Sequence, residues 1–517
     1  MRLTCIVLFG LLEFTINAQS VNVEGITSIK QSDVYSIQSQ DLAFGGSIAS
    51  IGDVNSDGIG DLVVGALIGP TSNYGGFYVI CLDSNGLAID TMRVAFGSSN
   101  FSSSIGVNSG FGFSACSLGD LNNDGLTEVV IGAHSLEVGN SEPGGVFLMS
   151  INWNSKRVEN VVLISNNNGG FTGSISNDED FGYSVTSVGD LDNDGVNDLA
   201  VGAPGRSTSG NNEGAVYILF LNANGTVKAF QLIDRNTEPQ LNIGSDFQFG
   251  FAIESIKDLN ADGKKEFIVG VPGGREINGR DFGELWVLDV TSNVQRLARL
   301  NHISSNFSSE LDSLSSIGSG LAVLGDIDGN GIEDIAIFTD QGEITSATTN
   351  HVSIIYLSSS IGIDSMQILT GLPGSFNSFN SVFDLCSRQM AGNIDINSDG
   401  QLDIILGAPN YNSAEGQINF IFLDGISHIS IPEFEQIENW VSISPNPSDG
   451  QIAIEQLGSD VTAAEIEVLN VNGQVVHTAS LSDQRTTLEL DVPSGNYFVR
   501  VIDEVNGKYQ LEKIIVE

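Results

Sequence analysis

A nine-residue acidic phrase recurs six times in this chain: DVNSDGIGD (Asp53–Asp61), DLNNDGLTE (Asp120–Glu128), DLDNDGVND (Asp190–Asp198), DLNADGKKE (Asp258–Glu266), DIDGNGIED (Asp326–Asp334) and DINSDGQLD (Asp395–Asp403). Successive copies begin 67 to 70 residues apart. A period that constant demands a repeat architecture, in which each unit buries its apolar face against the next. The flanks keep the same register. Phe-Gly stands nine residues before the first aspartate in four copies: Phe44-Gly45, Phe111-Gly112, Phe181-Gly182 and Phe249-Gly250. Twelve residues after it comes Gly65-Ala66, Gly132-Ala133, Gly202-Ala203, Gly270-Val271 or Gly407-Ala408. Two copies depart from this. The fifth has Ile317-Gly318 and Phe338-Thr339, and the sixth has Cys386-Ser387 in place of Phe-Gly.

Each repeat reads as four short strands. In the third, Tyr183–Val188 leads into the acidic phrase, which leads into Asp198–Val201, Ala215–Leu221 and Val227–Leu232. The 60 glycines suit many strands joined by tight turns and suit helix bundles poorly. Four strands in one such period make a propeller blade. The sixth copy supplies three strands, ending at Ile418–Leu423, and Gly25–Lys30 stands where the missing fourth belongs. The expectation is an all-β propeller of six four-stranded blades, closed by the N-terminal strand so that no sheet edge is left open. The alternative, seven blades, needs a further repeat for which the spacing leaves no room.

In D-x-[DN]-x-[DN]-G-x-x-[DE], positions one, three and five aim short side-chain oxygens inward around a turn. Glycine at six permits the reversal, the backbone carbonyl of position seven is a further donor, and the carboxylate at nine closes the shell. So many hard, flexible oxygen donors suit calcium, up to six structural ions, better than magnesium, which keeps more water. The candidate donors are Asp53, Asn55, Asp57, Ile59 and Asp61; Asp120, Asn122, Asp124, Leu126 and Glu128; Asp190, Asp192, Asp194, Val196 and Asp198. They continue with Asp258, Asn260, Asp262, Lys264 and Glu266; Asp326, Asp328, Asn330, Ile332 and Asp334; Asp395, Asn397, Asp399, Gln401 and Asp403. Three or four carboxylates crowd each loop, and without a cation they repel one another or hold protons. An Asp-Gly hairpin turn with no ion is the plain alternative for one isolated copy, not for six in register.

The repeated phrase with its Phe-Gly and Gly-Ala-Pro flanks resembles the FG-GAP repeat of integrin α-subunit propellers and their bacterial relatives, over residues 19–430. That resemblance implies a recognition or adhesion module stabilised by calcium. The chain changes character after a polar stretch, 431–439. Residues 440–517 read as seven short strands: Val441–Ser444, Gln451–Glu455, Glu465–Leu469, Val475–Ala479, Thr487–Leu490, Tyr497–Val501 and Gln510–Val516. They suffice for a small β-sandwich. The wording SPNPSDGQIAIE, VLNVNGQVV, VPSGNYFVRV and a final KIIVE resembles the C-terminal sorting domain of the type IX (Por) secretion system of Bacteroidetes. The resemblance implies partnership with that secretion machinery, export to the cell surface or medium, and removal of the domain there.

At the other end, Met1-Arg2, an apolar stretch to Ile16 and Asn17-Ala18-Gln19 read as a signal peptide spanning residues 1–18. Beyond it Cys81, Cys116 and Cys386 form neither a disulfide framework nor a zinc site. The net charge of −44 opposes a phosphate backbone, and no later run is long and apolar enough to span a membrane as a helix. His134, His302, His351, His428 and His477 stand singly, with no HExxH and no G-x-S-x-G. No catalytic site and no organic cofactor are expected, although an enzyme acting on polysaccharide, or a structural surface spacer, is an alternative reading of the fold.

Connections between second and third strands must emerge opposite the acidic loops: Leu67–Gly75, His134–Gly144, Pro204–Gly214, Pro272–Gly283, Thr339–Asn350 and Pro409–Glu415. Arg206, Arg235, Arg275 and Arg280 fall in or near them around the third and fourth blades, with Tyr74 and Tyr411 on other loops. A positive patch there would grip carboxylates or sulfates of an unknown protein or glycan. The blander expectation is that these arginines pair with Glu213, Glu276 and Asp281.

Overall fold

The structure is a computed structural model that describes residues 22–34, 42–68, 74–101, 106, 108–139, 141–274, 283–290, 294–301, 315–340, 351–358, 361–369, 390–409, 416–424, 441–448, 450–457, 464–470, 475–481, 483–490, 492–503 and 508–516. The leader at 1–18, the stretch 431–439, Cys386, Arg275, Arg280 and Tyr411 lie outside the described residues. The chain divides into two compact units, Met1–Ser427 and His428–Glu517.

The first unit opens with β1 (Asn22–Lys30) and continues as successive antiparallel sheets. Blade one is β2 (Leu42–Gly52), β3 (Asp61–Ile68), β4 (Gly76–Leu82) and β5 (Ala88–Ala95). Blade two is β6 (Phe111–Gly119), β7 (Thr127–Ala133), β8 (Gly145–Asn152) and β9 (Arg157–Ile164). Blade three is β10 (Ser184–Gly189), β11 (Asp198–Ala203), β12 (Ala215–Leu221) and β13 (Val227–Ile233). Blade four is β14 (Ile253–Ile256), β15 (Glu266–Val271), β16 (Glu284–Val290) and β17 (Val294–Leu300). Blade five is β18 (Ser315–Gly325), β19 (Asp334–Asp340), β20 (His351–Leu357) and β21 (Ile363–Ile368). The sixth sheet runs β22 (Met390–Ile394), β23 (Asp403–Ala408) and β24 (Gln417–Asp424), and β1 completes it from the other end of the chain, Ile26 opposite Ile421. Ring closure by the N-terminal strand is therefore as the repeat arithmetic predicts.

Each inner strand packs on the next, β2 on β6, β6 on β10, β10 on β14, β14 on β18, β18 on β22, and β22 again on β2. The flanking motif is the joint between blades. Phe44, Phe111, Phe181 and Phe249 are fully buried. Phe181 and Phe249 bridge to Gly144 and Gly214 of the preceding blade, and Phe44 bridges to Gly416 of blade six. The glycine after each phenylalanine has a left-handed φ, 95° at Gly182, and turns its carbonyl into the neighbouring second strand. A Cβ on Gly202 would lie 2.1 Å from the carbonyl oxygen of Gly250, and one on Gly407 would lie 2.1 Å from that of Gly45. Only glycine fits there. Serine hydroxyls add a latch, Ser47, Ser114 and Ser184 each donating at 2.8 Å to the glycine carbonyl of the next blade. In blade five Ile317, fully buried and bridged to Gly283, takes the place of phenylalanine.

The second unit is two sheets, β25 (Val441–Ser444), β26 (Gln451–Gln456) and β29 (Arg485–Glu489), against β28 (Val475–Leu481), β27 (Ala464–Asn470), β30 (Gly495–Asp503) and β31 (Lys508–Val516). Alternate residues Ile452, Ile454, Ile466, Val468, Val499, Val501 and Ile514 form its core. The Tyr497 hydroxyl donates to the Pro493 carbonyl at 2.8 Å and ties the turn to the strand.

Candidate metal centres

Every acidic loop joins the first strand of a blade to the second, so all six lie on one face of the ring. The loop is built by its own side chains. Asp53 accepts the N–H groups of Asp57 and Gly58 at 3.0 and 2.8 Å, and Asn55 accepts Asp57 N–H at 3.0 Å. Asp57 in turn accepts the N–H of Ile59 at 2.8 Å. The same frame repeats at Asp120, Asp190, Asp258 and Asp395, whose carboxylates take the N–H of Gly125, Gly195, Gly263 and Gly400 at 2.7–2.9 Å. In the fifth loop Asp326 keeps the bond to Gly331 N–H at 2.9 Å. These bonds fix the turn through the loop's own short polar side chains.

Position nine does something else as well. Asp61, Asp198, Asp334 and Asp403 are fully buried. One oxygen of each accepts the N–H of position two: Val54 at 2.9 Å, Leu191 at 3.0 Å, Ile327 at 2.9 Å and Ile396 at 3.0 Å. The other accepts an N–H at the far end of the third strand: Leu82 at 3.2 Å, Leu221 at 2.9 Å, Leu357 at 2.9 Å and Leu423 at 3.2 Å. The ninth carboxylate thus pins the loop to its own blade. Where it is Glu, the reach differs. Glu128 accepts Leu121 N–H at 2.7 Å through Oε2, and the Ser150 side chain, rather than a backbone N–H at the end of the third strand, is its other hydrogen-bonding neighbour.

Burial pushes these carboxyls up, and the neighbouring loop carboxylates add to it. Asp198 and Asp403 rise to about 6, and Glu266 and Asp334 to about 7. Three carboxylates converge within 4.8 Å in the third loop (Asp190, Asp192, Asp194), the fourth (Asp258, Asp262, Glu266) and the fifth (Asp326, Asp328, Asp334). Such converging hard oxygens fit a divalent cation: these three clusters can hold a metal. In the first, second and sixth loops asparagine replaces the third-position carboxylate and donates to position five, as Asn55 does to Asp57 at 2.7 Å.

A cation that the repeat pattern gave no hint of also sits here. Lys228 on β13 binds Asp192 at 2.8 Å and also pairs with Asp194. Lys264, at position seven of the fourth loop, donates to the Leu191 carbonyl of the third at 2.7 Å and links adjacent blades.

On the opposite face, of the four candidate arginines only Arg206 and Arg235 fall among the described residues. Arg206 is spent internally, its guanidinium donating to Glu179 at 2.7 Å, Asp234 at 2.8 Å and Tyr217 Oη at 3.0 Å, with 16% of the side chain exposed. Its partners are not those expected, because Asp234 and Glu179 arrive from the flanking turns. Arg235 is half exposed and pairs with Glu213 at 3.2 Å. Burial opposes the Glu213 charge, yet the N–H and hydroxyl groups of Thr208 and Ser209 hold its carboxyl down at about 2. Tyr74 packs on Phe96, ring centroids 5.3 Å apart. An aromatic row missed by the sequence reading stands at this end of the inner strands. Phe113 contacts His134 (4.3 Å) and Tyr183 (4.6 Å), and Tyr183 contacts Phe251 (4.6 Å). Its trace in sequence is the aromatic residue directly after Phe-Gly in blades two to four.

On the axis, a cavity of about 500 Å³ is lined by Ser50, Cys116, Thr186, Glu254, Lys257 and Lys265, among others. Among the described residues no helix is long and apolar enough to cross a membrane.

Residues 181–219 match the FG-GAP repeat family, and residues 442–517 match the secretion system C-terminal sorting domain. The chain is 32% identical to integrin alpha-PS5 of Drosophila melanogaster over 168 residues, 32% of this chain and 15% of that protein. It is 32% identical to integrin alpha-5 of Xenopus laevis over 244 residues, 45% of this chain and 20% of that protein. The matches thus span a fifth or less of these integrins' length. Among solved structures, a rhamnogalacturonan lyase of Bacillus licheniformis aligns with 11% identity and a TM-score of 0.36, over 77% of this chain and 75% of that one, too loosely to inform function. The chain carries an integrin-α-like FG-GAP propeller and a type IX sorting domain, which marks it for export to the outer cell surface or the medium.

Proposed function

We propose that this is a calcium-stabilised, exported recognition protein that binds a protein or glycan on the propeller face opposite the acidic loops and catalyses no reaction. The observation that carries the calcium reading is the convergence of three carboxylates within 4.8 Å in the third, fourth and fifth loops. A bound cation would offset their mutual repulsion, and the oxygen-only donor set favours calcium. At each loop the cation would be held by positions one, three, five and nine and the carbonyl of position seven, and its charge would let those carboxylates stay ionised.

Recognition is supported by the division of labour between faces. One face is committed to repeated acidic loops. The other carries the longer, varied connections, the half-exposed Arg235 and the row Phe113, His134, Tyr183 and Phe251. His134 meets both the Ser135 hydroxyl at 3.1 Å and Asp180 at 3.2 Å through the one ring nitrogen Nδ1, which is not the two-sided relay of a nucleophile, a base and an orienting acid, and this weighs against an enzyme. The deciding experiment sets a protein and glycan binding array, run in calcium and in chelator, beside a turnover screen against polysaccharides. Calcium-dependent binding without turnover supports this reading. Turnover abolished by a substitution on the axis would replace it with the enzyme.

A further inference from the structure

The six acidic loops are not equivalent, because the outermost strand of a blade places a different side chain against each. In blade three Leu221 pairs with Val227 and Phe220 with Ala229, so Lys228 is the extra residue of a β-bulge. Leu221 is also the residue whose N–H the ninth-position Asp198 accepts. The hairpin that Asp198 grips therefore presents Lys228 to its own acidic loop, where the ammonium binds Asp192 and Asp194. Val227, next to it, is buried and fixes the hairpin.

The same bulge recurs in blade one, between Leu82–Ala88 and Cys81–Asp90, with Ile89 as the extra residue. It recurs in blade five, between Leu357–Ile363 and Tyr356–Ser365, with Asp364. Ile89 is exposed, and the charge of Asp364 bears on Asp328 of its loop. One structural position thus carries a cation, an apolar group and an anion in three blades.

We propose that Lys228 is a tethered cation of the third acidic loop, which a metal ion must displace, so that this loop binds calcium more weakly than its carboxylates alone would dictate. The inference rests on the calcium reading above and concerns which loop fills last. The third loop has four carboxylates, including aspartate at both positions three and five. By donor count it should be the strongest site. With the ammonium on two of those carboxylates, the divalent ion must either break both ion pairs or sit beside a positive charge, and either weakens binding. As an exposed ion pair the contact adds little to folding stability, so its consequence lies in cation competition.

The test uses the full-length protein and calcium alone, followed by calorimetric titration and by equilibrium dialysis at fixed free calcium. Lys228→Met keeps an unbranched apolar stem of nearly the same reach and removes the charge. In K228M one equivalent of calcium should bind about tenfold more tightly than in the wild type, and D192N added to K228M should abolish that gain. The reciprocal variant I89K should weaken one equivalent by a similar factor, through the first loop. Unfolding of K228M in chelator should match the wild type, which shows that the change is not one of fold. If wild type and K228M both bind calcium with superimposable curves, the tethered-cation proposal is overturned and the calcium reading stands. If neither binds calcium, the calcium reading fails and this inference falls with it.

Discussion

One carboxylate oxygen of Asp198 accepts the backbone N–H of Leu221 at 2.9 Å, joining the acidic loop of blade three to the end of its third strand across 23 residues. The other oxygen holds Leu191 N–H at 3.0 Å. Position nine is thus a metal donor by sequence and a backbone anchor by structure, and the two roles separate by substitution. Asp198→Asn leaves an amide nitrogen facing one of two N–H donors, so it should cost about 1–3 kcal/mol of stability even in chelator. Asp192→Asn, on the exposed side of the loop, should change stability in chelator by less than about 0.5 kcal/mol. Denaturant unfolding of both variants measures the difference. Equal costs would mean that position nine has no anchoring role.

Calcium should hold the propeller together. A ligand that binds only the folded state adds about 2.7 kcal/mol per site at a free concentration a hundredfold above its dissociation constant. Thermal unfolding should shift upward with calcium and fall back with excess chelator. An unchanged midpoint, with no metal found by elemental analysis, counts against calcium in any loop.

The ring was legible in sequence because a propeller is written in its period. The 67-to-70-residue spacing, the Phe-Gly and Gly-Ala flanks and the orphan strand at Gly25–Lys30 sufficed for six blades and their closure. Lys228 was not legible. Whether its side chain meets the loop depends on a one-residue bulge at Leu221–Val227, which no local pattern specifies. Arg206 failed for a related reason. Its partners Glu179 and Asp234 lie 27 and 28 residues away, and only the packed blade brings them together.

Glycine at the blade joint should be irreplaceable. Gly202→Ala puts a methyl group 2.1 Å from the Gly250 carbonyl oxygen, a backbone atom that cannot move without opening the joint. A loss of about 3 kcal/mol or more is expected by chemical denaturation. A variant as stable as the wild type would show that the joint has room for a methyl group.

Export should depend on the second unit. Deleting residues 440–517 should leave the protein inside a type IX-competent cell, and mass spectrometry of the mature surface form should find residues from about Trp440 onward removed. A surface chain ending in Glu517, or normal export after the deletion, contradicts this.

The last prediction concerns pH and Glu254, which projects into the axial cavity with Thr186 Oγ1 at 3.4 Å and Lys265 nearby. Burial raises its carboxyl to about 8, against a weaker opposing pull from the Thr186 hydroxyl and the Lys265 charge. Its unfolded value is near 4.3. Between these values the folded protein binds the proton and the unfolded chain does not, so stability falls as pH rises. Below about pH 4 the group is protonated in both states and the contribution is fully present. Above pH 8 it is lost. The Glu254→Gln variant, neutral throughout, should therefore lose less stability than the wild type from pH 5 to pH 8. Measuring both in saturating calcium keeps the loop carboxylates from titrating in the same window. Parallel curves would show that Glu254 is ionised across the whole range, held by the lysines at the cavity mouth.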